Sequence, residues 1–351
     1  MMTLIYFILI LGIIVLVHEF GHFIFAKMFG VYVYEFSIGM GPKIFSKRRK
    51  NKNDETEYCI RAIPIGGFVQ LAGEEIDDDT KIPKEKKMYS KPIWQRFLIM
   101  FFGAGNNFIL AILILLLCGI FFGSYNMDPV VSKLTPGYPM ETSGIEVGDE
   151  FLKINGNNIS TSDDVRIYFS LATPGEDINL EMKKEDGSIV TYEVSPLKEE
   201  VDGVTSYKFG IEFTAEKEKG FFAPFKYAFT KTGALFNQMF ITFKMLFTGQ
   251  VGVDNLSGPV GIYSIVGQTR SAGFESVLQL VALLSINVGF INLIPFPAFD
   301  GGRILFLLIE KIKGSPVNPK IENILHSIGF VLLLILLVYI TFNDIIRMFF
   351  S

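Results

Sequence analysis

The most constraining feature of this sequence is an apolar run from about Leu4 to Ala26 that contains two histidines and a glutamate. His18 and His22 are spaced i, i+4 on a predicted helix, so both imidazoles lie on one face and can bind one metal ion. Glu19 lies where a carboxylate can take a proton from a metal-bound water. A chance match in a structural helix is the alternative, but ionisable residues within a membrane span usually have a function. The run therefore predicts an intramembrane zinc site.

Composition places the chain among membrane proteins that carry a soluble part. Hydrophobic residues make up 50% of its 351 residues, and the mean hydropathy is +0.39. The formal net charge of −4 does not indicate a nucleic-acid partner. Cys59 and Cys118 lie in a basic loop and an apolar segment, so we expect free thiols and no disulfide.

Four apolar segments predict four transmembrane helices, over residues of about 4–26, 97–122, 277–294 and 327–342. The first segment has no basic residue before it and Lys27 directly after it. We therefore expect an uncleaved helix with its N-terminus outside the cell and its far end at the cytoplasm. His18 and His22 then lie toward the cytoplasmic leaflet, and four spans return the C-terminus to the outside.

The segment between the first two spans carries the basic residues expected of a cytoplasmic loop. Residues 31–36 and 57–63 have strand character, and glycines that include Gly66 and Gly67 punctuate the segment. We predict a β-hairpin or small sheet directly after the histidine helix, with an edge that can bind an extended peptide. A cytoplasmic hairpin without a binding role is the alternative.

Residues 124–219 change character, with many acidic residues and short strands separated by turns at Asn155-Gly156, Asp186-Gly187 and Asp202-Gly203. Their length, roughly 95 residues, suits one small domain. The segment 144–156 resembles the central part of bacterial PDZ domains, which bind chain ends by strand addition. The predicted topology places this domain outside the cell. A spacer without a ligand is the alternative.

A phenylalanine-rich segment follows at residues 220–250. Its aromatic residues recur at near-helical spacing between lysines, which is typical of an amphipathic helix on the outer surface of the bilayer. Residues 256–262 contain Ser-Gly-Pro and a further glycine, so we expect a turn-rich loop that leads to the third span.

The third span ends in a Pro-Phe-Pro sequence followed by Asp300. The prolines break the helix at membrane depth, where irregular backbone is tolerated only against protein or a cavity. Asp300 then arrives at the depth of His18 and His22, and a catalytic zinc takes three protein ligands and keeps one open position. We predict that Asp300 is the third ligand; a helix N-cap is the alternative role. His326 is interpreted as an interfacial residue at the start of the last span.

Two separated motifs resemble those of the site-2 proteases, which are zinc intramembrane metalloproteases. They are His-Glu-Phe-Gly-His at residues 18–22 and Asn-x-x-Pro-x-Pro-x-x-Asp-Gly at residues 292–301. The likeness extends over nearly the whole chain, including residues 64–69 and the Gly-Pro-Val-Gly sequence at 258–261. It points to the bacterial branch that regulates sigma factors through cleavage of anti-sigma factors. Members of that branch often carry two PDZ domains, whereas this chain has room for one.

The resemblance implies a role for each site residue. The hairpin becomes a membrane-reentrant element that presents substrate as a strand, and the PDZ domain excludes substrates whose outer part has not been trimmed. The implied residues are His18, His22 and Asp300 for Zn²⁺, Glu19 for catalysis, and Asn292, Asn107, Gly66 and Gly67 for substrate binding.

We therefore expect a polytopic α-helical membrane protein with four transmembrane helices, a membrane-associated β-hairpin on the cytoplasmic side, and one extracytoplasmic PDZ-like α+β domain. The expected segments are 1–26 (first helix with the zinc motif), 27–96 (hairpin loop), 97–123 (second helix), 124–219 (PDZ domain), 220–274 (amphipathic helix and Gly-Pro loop), 275–310 (third helix and Asp300 motif) and 311–351 (connection and fourth helix).

The expected function is zinc-dependent cleavage of transmembrane segments, usually after a first cut outside the cell. The substrates are single-span membrane proteins such as anti-sigma factors or signal-peptide remnants. The other expected partners are the lipid bilayer and a chain-end ligand of the PDZ domain. The protein is expected to be a multi-pass protein of the cell membrane, with both termini and the PDZ domain outside.

Two other function classes fit parts of the sequence. A membrane scaffold would bind chain ends through the PDZ domain and use zinc as a structural clamp, but a structural site has four protein ligands, and the sequence offers three good candidates. A metal or proton transporter would distribute carboxylates and histidines through its spans, whereas here they gather at two points.

Overall fold

Two compact units make up the chain. The computed structural model describes residues 2–48, 55–74, 81–170, 176–201, 204–214, 216–250, 252 and 256–350. The first unit comprises Met1–Ile114 and Gly252–Ser351, and the second comprises Leu115–Val251. All of the predicted metal ligands fall in the first unit.

Long apolar helices form most of the first unit. Their bounds are α1 (Met2–Met28), α2 (Ile93–Phe121, which continues into the second unit), α6 (Pro259–Ser271), α7 (Phe274–Leu293), α8 (Asp300–Lys313) and α9 (Pro319–Phe350). In the part of the chain that the structure describes, α1, α2, α7 and α9 are long and apolar enough to cross a membrane. The prediction of four helices that can span a membrane is therefore confirmed, and their orientation stays a prediction.

Two helices, α9 and α6, begin earlier in the chain than the sequence predicts. α9 begins at Pro319, well before Ser327, because proline suits the first helical position. The prediction of a turn-rich loop at residues 256–262 is wrong for its second half, because helix α6 begins at Pro259. There the Gly261 N–H donates to the carboxylate of Asp344 at 2.8 Å, which satisfies one of the free amides at a helix start.

Glycine allows α1 and α2 to cross with their backbones in contact. A Cβ placed on Gly21 would lie 1.9 Å from the carbonyl oxygen of Phe102, far inside van der Waals distance. Near this crossing, Asn106 donates from Nδ2 to the carbonyl oxygen of Val17 at 3.4 Å, as expected of an amide between membrane helices. The crossing brings the middle of α2 against the histidine face of α1.

A bent antiparallel sheet follows α1 directly and confirms the predicted strands. It consists of β1 (Val33–Arg48) and β2 (Glu57–Leu71). The first half of β1 is flanked by both ends of β2, because Ser37 pairs with Cys59 on one side and Phe68 on the other. Cys59 and Cys118 are both buried, and they are not joined to each other by a disulfide.

The bend in β2 creates an edge next to α1. Gly66 has a φ of +83°, which glycine adopts without strain. A Cβ on Gly67 would lie 2.7 Å from the carbonyl oxygen of Ser37, so the two strands approach closely at this point. Among the described residues, the segment from Gly67 to Leu71 pairs with β1 on one side only. Its other side is the edge of the sheet.

Among its described residues, the second unit contains short strands, two short helices, one long helix and the end of α2. Their bounds are β3 (Ser124–Tyr125), β4 (Val131–Leu134), α3 (Pro139–Thr142), β5 (Glu150–Ile154), β6 (Asn157–Asn158), α4 (Ser162–Ser170), β7 (Ile178–Lys183), β8 (Ile189–Val194), β9 (Leu197–Val201), β10 (Val204–Lys208), β11 (Ile211–Phe213), β12 (Lys217–Glu218) and α5 (Ala223–Phe247). The larger sheet has the order β6-β5-β7-β8. Phe151, Leu180 and Met182 are completely buried in its core.

The turns of this unit follow their sequences. Asn155 and Gly156 have φ values of 49° and 76°, as a two-residue hairpin turn with Asn-Gly requires. Asp186-Gly187 joins β7 to β8, and the Asp186 carboxylate accepts from the Ser188 N–H at 2.8 Å. The predicted turn at Asp202-Gly203 lies outside the described residues.

The phenylalanine-rich helix α5 has two different faces. Buried residues such as Tyr227 and Leu235 lie on one face, while Phe229 and Phe240 are each 62% exposed on another. The helix packs within the second unit, where Lys231 forms an ion pair with Asp163 at the start of α4. This distribution is the amphipathic pattern that the sequence predicts.

We expect Gly21→Ala to destabilise the protein by about 1–3 kcal/mol, because the added methyl group cannot fit at the crossing of α1 and α2. Gly233→Ala on α5 is the matched control, since nothing lies within 4 Å of its Cβ position, and it should stabilise by about 0.5–1 kcal/mol. Thermal unfolding in detergent can be followed with a fluorophore that reacts with the buried Cys59 and Cys118 as they become exposed. Equal melting temperatures for Gly21→Ala and the wild type would contradict the close crossing.

Candidate metal centre

Two elements bring three ligand atoms to one point. His18 and His22 lie one turn apart on α1, and Asp300 is the first residue of α8, directly after the backbone break at residues 294–299. Asp300 Oδ2 lies 3.2 Å from His18 Nε2 and 3.3 Å from His22 Nε2. The two imidazole Nε2 atoms are 3.3 Å apart. The N-cap of α8 is Phe299, without a side-chain capping bond, so the N-cap role considered for Asp300 is wrong.

These three distances fit a tetrahedral zinc site. Ligand atoms about 2.0–2.1 Å from a zinc ion stand about 3.3 Å apart at the corners of a tetrahedron. Both histidines are 8% exposed, and Asp300 Oδ2 is buried without a hydrogen-bond partner among the described residues. The three side chains are one of two groups in the described chain with ligand atoms close enough to share an ion.

Hydrogen bonding fixes the ring of His22 with a lone pair facing Asp300. Its Nδ1 lies 2.8 Å from the backbone carbonyl oxygen of Ile99, which can only accept, so Nδ1 carries a proton, and in the neutral imidazole Nε2 is then the atom that can bind a metal. A Cβ on Gly103 would lie 2.3 Å from His22 Nε2. The glycine therefore leaves the space that the ring occupies. A neutral His22 with its proton on Nδ1 therefore directs its Nε2 lone pair toward the Asp300 carboxylate, as two ligands of one metal ion require.

The partner of His18 is Asn107, which is completely buried on α2. The Nδ2 atom of Asn107 lies 3.5 Å from His18 Nδ1, so in this orientation the amide donates to the ring. A bare Nε2 on His18 requires a proton on Nδ1 and an acceptor beside it. Turning the amide presents the Asn107 carbonyl oxygen, which is buried without a partner among the described residues. Asn107 thus contacts a predicted ligand.

Glu19 lies beside the three ligands and at the edge of the sheet. Its Oε2 accepts a hydrogen bond from the Val69 N–H at 3.0 Å. A Cβ on Gly67 would lie 3.8 Å from Glu19 Cγ, so β2 passes directly over this side chain. The hydrogen bond holds the carboxylate on the side of α1 that faces the edge strand.

A cavity of about 600 Å³ contains the site. Glu19, Asn292 and the three ligands line it, together with Phe68 and Val69 from β2. The structure thus places the predicted substrate residue Asn292 at the cavity. It does not place Gly66 or Asn107 on the cavity wall: Gly66 packs against Met40 of β1.

Sequence reasoning missed three residues at this cavity. Arg303 and Glu74 form an ion pair, and both line the cavity. His326 of α9 also lines it and accepts a hydrogen bond from the Ala298 N–H at 3.0 Å. A signal existed for His326, since it is the one histidine outside the motif and lies beside an apolar span. The partner of Arg303 had no local signal, because residues 74 and 303 are far apart in sequence.

A second group of ligand-type atoms, Glu35, Glu57 and Cys59 in the sheet, does not fit a metal. Burial raises the pKa of Glu35, but hydrogen bonds from Lys43 and Arg61 outweigh it and hold the pKa below its ordinary value. Burial raises the pKa of the Cys59 thiol, so this group favours the protonated thiol over the thiolate that metals bind. The cluster is an ion-pair network.

We expect Gly103→Ala to weaken zinc binding about tenfold or more, because the methyl group and the His22 ring cannot occupy the same space. The zinc content of purified protein, measured by mass spectrometry after dialysis at a buffered free zinc concentration, checks this. Gly233→Ala is the control and should bind zinc like the wild type. Unchanged zinc binding in Gly103→Ala would contradict the position of the His22 ring.

Comparison with known proteins places this geometry in a family. Residues 6–336 match the family described as Peptidase family M50. The chain is 39% identical over 346 residues to a Clostridium perfringens protein named "Putative zinc metalloprotease CPE1693", covering 98% of this chain and 99% of that protein.

Two further relatives carry names that describe a protease. The zinc metalloprotease RasP of Oceanobacillus iheyensis is 33% identical over 432 residues, covering 99% of this chain and all (100%) of that protein. The regulator of sigma-W protease RasP of Bacillus subtilis is 31% identical over 425 residues, with 99% of each chain covered. Both alignments are longer than this chain, so these relatives contain residues without a counterpart here. The chain belongs to Peptidase family M50, the site-2 proteases, and is a zinc metalloprotease of the membrane.

Proposed function

We propose that this protease cuts peptide bonds within the transmembrane segments of single-span membrane proteins, after a first cut outside the cell. The observation that carries the proposal is the convergence of His18 Nε2, His22 Nε2 and Asp300 Oδ2 within 3.3 Å of each other. This point lies on a helix that is apolar enough to cross a membrane. Three protein ligands leave one tetrahedral position open, as catalysis requires and a structural clamp does not.

The chemistry divides between the metal and Glu19. When bound, zinc polarises the scissile carbonyl and lowers the pKa of water at the open position to about 7. Glu19 accepts the proton of the attacking water and delivers it to the nitrogen of the leaving amine. His22 Nδ1 would donate a hydrogen bond to the Ile99 carbonyl oxygen, and His18 Nδ1 to the Asn107 side-chain oxygen. Both Nε2 lone pairs would then be directed at the ion. We assign Asn107 this orienting role.

The edge of β2 is suited to hold the substrate. A helical peptide has its carbonyl groups hydrogen-bonded, so the substrate must unwind before attack, and an extended peptide can then pair with an open sheet edge. The segment from Gly67 to Leu71 has such an edge, and its Val69 N–H already contacts Glu19. A substrate strand along this edge would pass beside the base and the ligands. Asn292, on the cavity wall, is positioned to donate to a substrate carbonyl group.

The depth of the sheet supports cleavage within the membrane. The Pro64 carbonyl oxygen lies 3.7 Å from the Cβ position of Gly12, and Gly12 lies near the middle of α1. From Gly12 to Glu19, α1 rises about 10 Å at 1.5 Å per residue. β2 therefore runs along the membrane helix from its middle to the base. This arrangement supports the proposal of a membrane-reentrant hairpin.

Topology and substrate identity belong to the same proposal. The basic residues of segment 27–96 support a cytoplasmic loop, which puts the active site toward the cytoplasm and both termini outside. The name regulator of sigma-W protease belongs to the relative from Bacillus subtilis. We infer anti-sigma factors, or signal-peptide remnants of similar length, as substrates of this chain.

The second unit is proposed to be one extracytoplasmic PDZ-like domain with an interfacial helix. Its sheet of four strands and the adjacent α4 provide the α+β arrangement expected for residues 124–219. The exposed phenylalanines of α5 support contact with the bilayer surface. The domain would bind the new chain end after the first cut, or exclude substrates that have not been cut.

Glu19→Gln should lower kcat for a purified model transmembrane substrate by about 10²–10⁴-fold, because the amide cannot accept the proton of water. Zinc content should stay that of the wild type, since Glu19 is not one of the three ligands. Gel analysis of cleavage in detergent, with zinc measured on the same samples, checks both outcomes. Activity that survives the substitution refutes the role of Glu19, and wild-type protein that never cuts refutes the protease proposal for this substrate class.

Val69→Pro tests the edge of the sheet. Proline removes the backbone N–H that donates a hydrogen bond to Glu19. This N–H points away from β1, and edge strands tolerate proline at such positions. We expect kcat/KM to fall about tenfold or more with the zinc content unchanged. Val69→Thr keeps the N–H and a branched side chain, so it should stay close to the wild type. If both variants cut equally well, the edge does not position the base or the substrate.

A further inference from the structure

The loop that delivers Asp300 packs against α9 through a close backbone contact. A Cβ on Gly329 would lie 2.3 Å from the carbonyl oxygen of Pro297, so α9 can approach this loop only because residue 329 has no side chain. His326 lies three residues earlier on α9 and therefore on the same face. The same face of α9 thus carries a glycine under Pro297 and a histidine under the next residue, Ala298.

The backbone of Ala298 is strained. Its φ is +87°, a conformation that an alanine rarely adopts and that persists only where surrounding contacts hold it. Ala298 lies two residues before Asp300. The direction of the chain at Ala298 therefore determines where the Asp300 carboxylate begins.

A hydrogen bond from α9 holds this strained residue: the Ala298 N–H donates to His326 Nδ1 at 3.0 Å. Because Nδ1 accepts, the ring is protonated on Nε2. That Nε2 is buried and has no hydrogen-bond partner among the described residues. Burying a polar atom without a partner is unfavourable, so an apolar side chain would suit this position better if the ring only filled space.

We propose that His326 is a positioning residue for the metal ligand Asp300. Its Nδ1 holds the Ala298 N–H, and this hydrogen bond keeps the strained loop in the conformation that brings the carboxylate to the two histidines. The inference rests on the proposed metal site and adds a residue that neither motif contains. His326 is not a fourth ligand: the described atoms close enough to share the ion are those of His18, His22 and Asp300.

Two substitutions at one position separate the hydrogen bond from packing. In His326→Asn, the side-chain oxygen is attached to Cγ, as Nδ1 is in histidine, so an acceptor for Ala298 remains. His326→Leu keeps a similar volume without an acceptor. Ser327→Ala is the control on the neighbouring position, because the Ser327 hydroxyl donates within α9 to the Asn323 carbonyl oxygen at 2.9 Å.

The measurement is zinc affinity by competition with a chromophoric chelator, together with the visible spectrum of the cobalt-substituted protein. We expect His326→Leu to weaken zinc binding about 10–100-fold, the range found when groups that orient metal ligands are removed, and to change the cobalt spectrum. His326→Asn should restore the affinity to within about threefold, and Ser327→Ala should match the wild type.

Each failure has a separate meaning. If His326→Leu binds zinc and gives the cobalt spectrum of the wild type, His326 does not position Asp300. If His326→Asn is as weak as His326→Leu, the hydrogen bond is not the cause, and the proposal is also overturned. If the wild type itself binds zinc without cutting a transmembrane substrate, the proposed function fails while the positioning role stands on the metal measurements.

Discussion

The predicted metal site depends on three potential ligand atoms that face one another. Two imidazole Nε2 atoms and a carboxylate oxygen lie within 3.3 Å of one another, and with both rings neutral their lone pairs repel the carboxylate unless a cation lies between them. Residues of α2 hold this arrangement in place: the Ile99 carbonyl oxygen accepts a hydrogen bond from His22 Nδ1, Asn107 contacts His18, and Gly103 leaves space for the His22 ring. All three residues are on α2, so the crossing of α1 and α2 and the preparation of the metal ligands are one structural requirement.

A second feature of the structure is that Glu19, the proposed base, lies directly beside the edge of the sheet that is proposed to bind the substrate. Glu19 is adjacent to a ligand in sequence, yet its hydrogen-bond partner comes from β2, through Val69. The bend at Gly66 and the close approach at Gly67 turn this part of the sheet along α1. Under the proposed function, an extended peptide paired with the free side of β2 would pass beside Glu19 and the predicted metal ligands.

Local sequence predicted the parts of this protein that local rules govern. The i, i+4 spacing of His18 and His22, the four apolar segments and the Asn155-Gly156 turn each follow from a short stretch of chain. Asp300 could be matched to the histidines because the prolines stop a span at a depth that can be counted. The contacts of Asn107 with His18 and of Ala298 with His326 join distant residues, and no local pattern encodes them. The start of α6 at Pro259 was missed because proline after glycine is as typical of a turn as of a helix start.

The exposure of α9 has a consequence for how the active site responds to its surroundings. Only 11% of the most apolar stretch of α9 is buried within the protein, although this helix contacts the Pro297–Ala298 backbone. Packing against neighbouring helices is what fixes the tilt of a membrane helix, and a helix with few such contacts can tilt to match the hydrocarbon thickness. Were α9 to tilt in this way, the contact at Ala298 would move with it, and proteolysis in vesicles of graded lipid chain length would measure the effect.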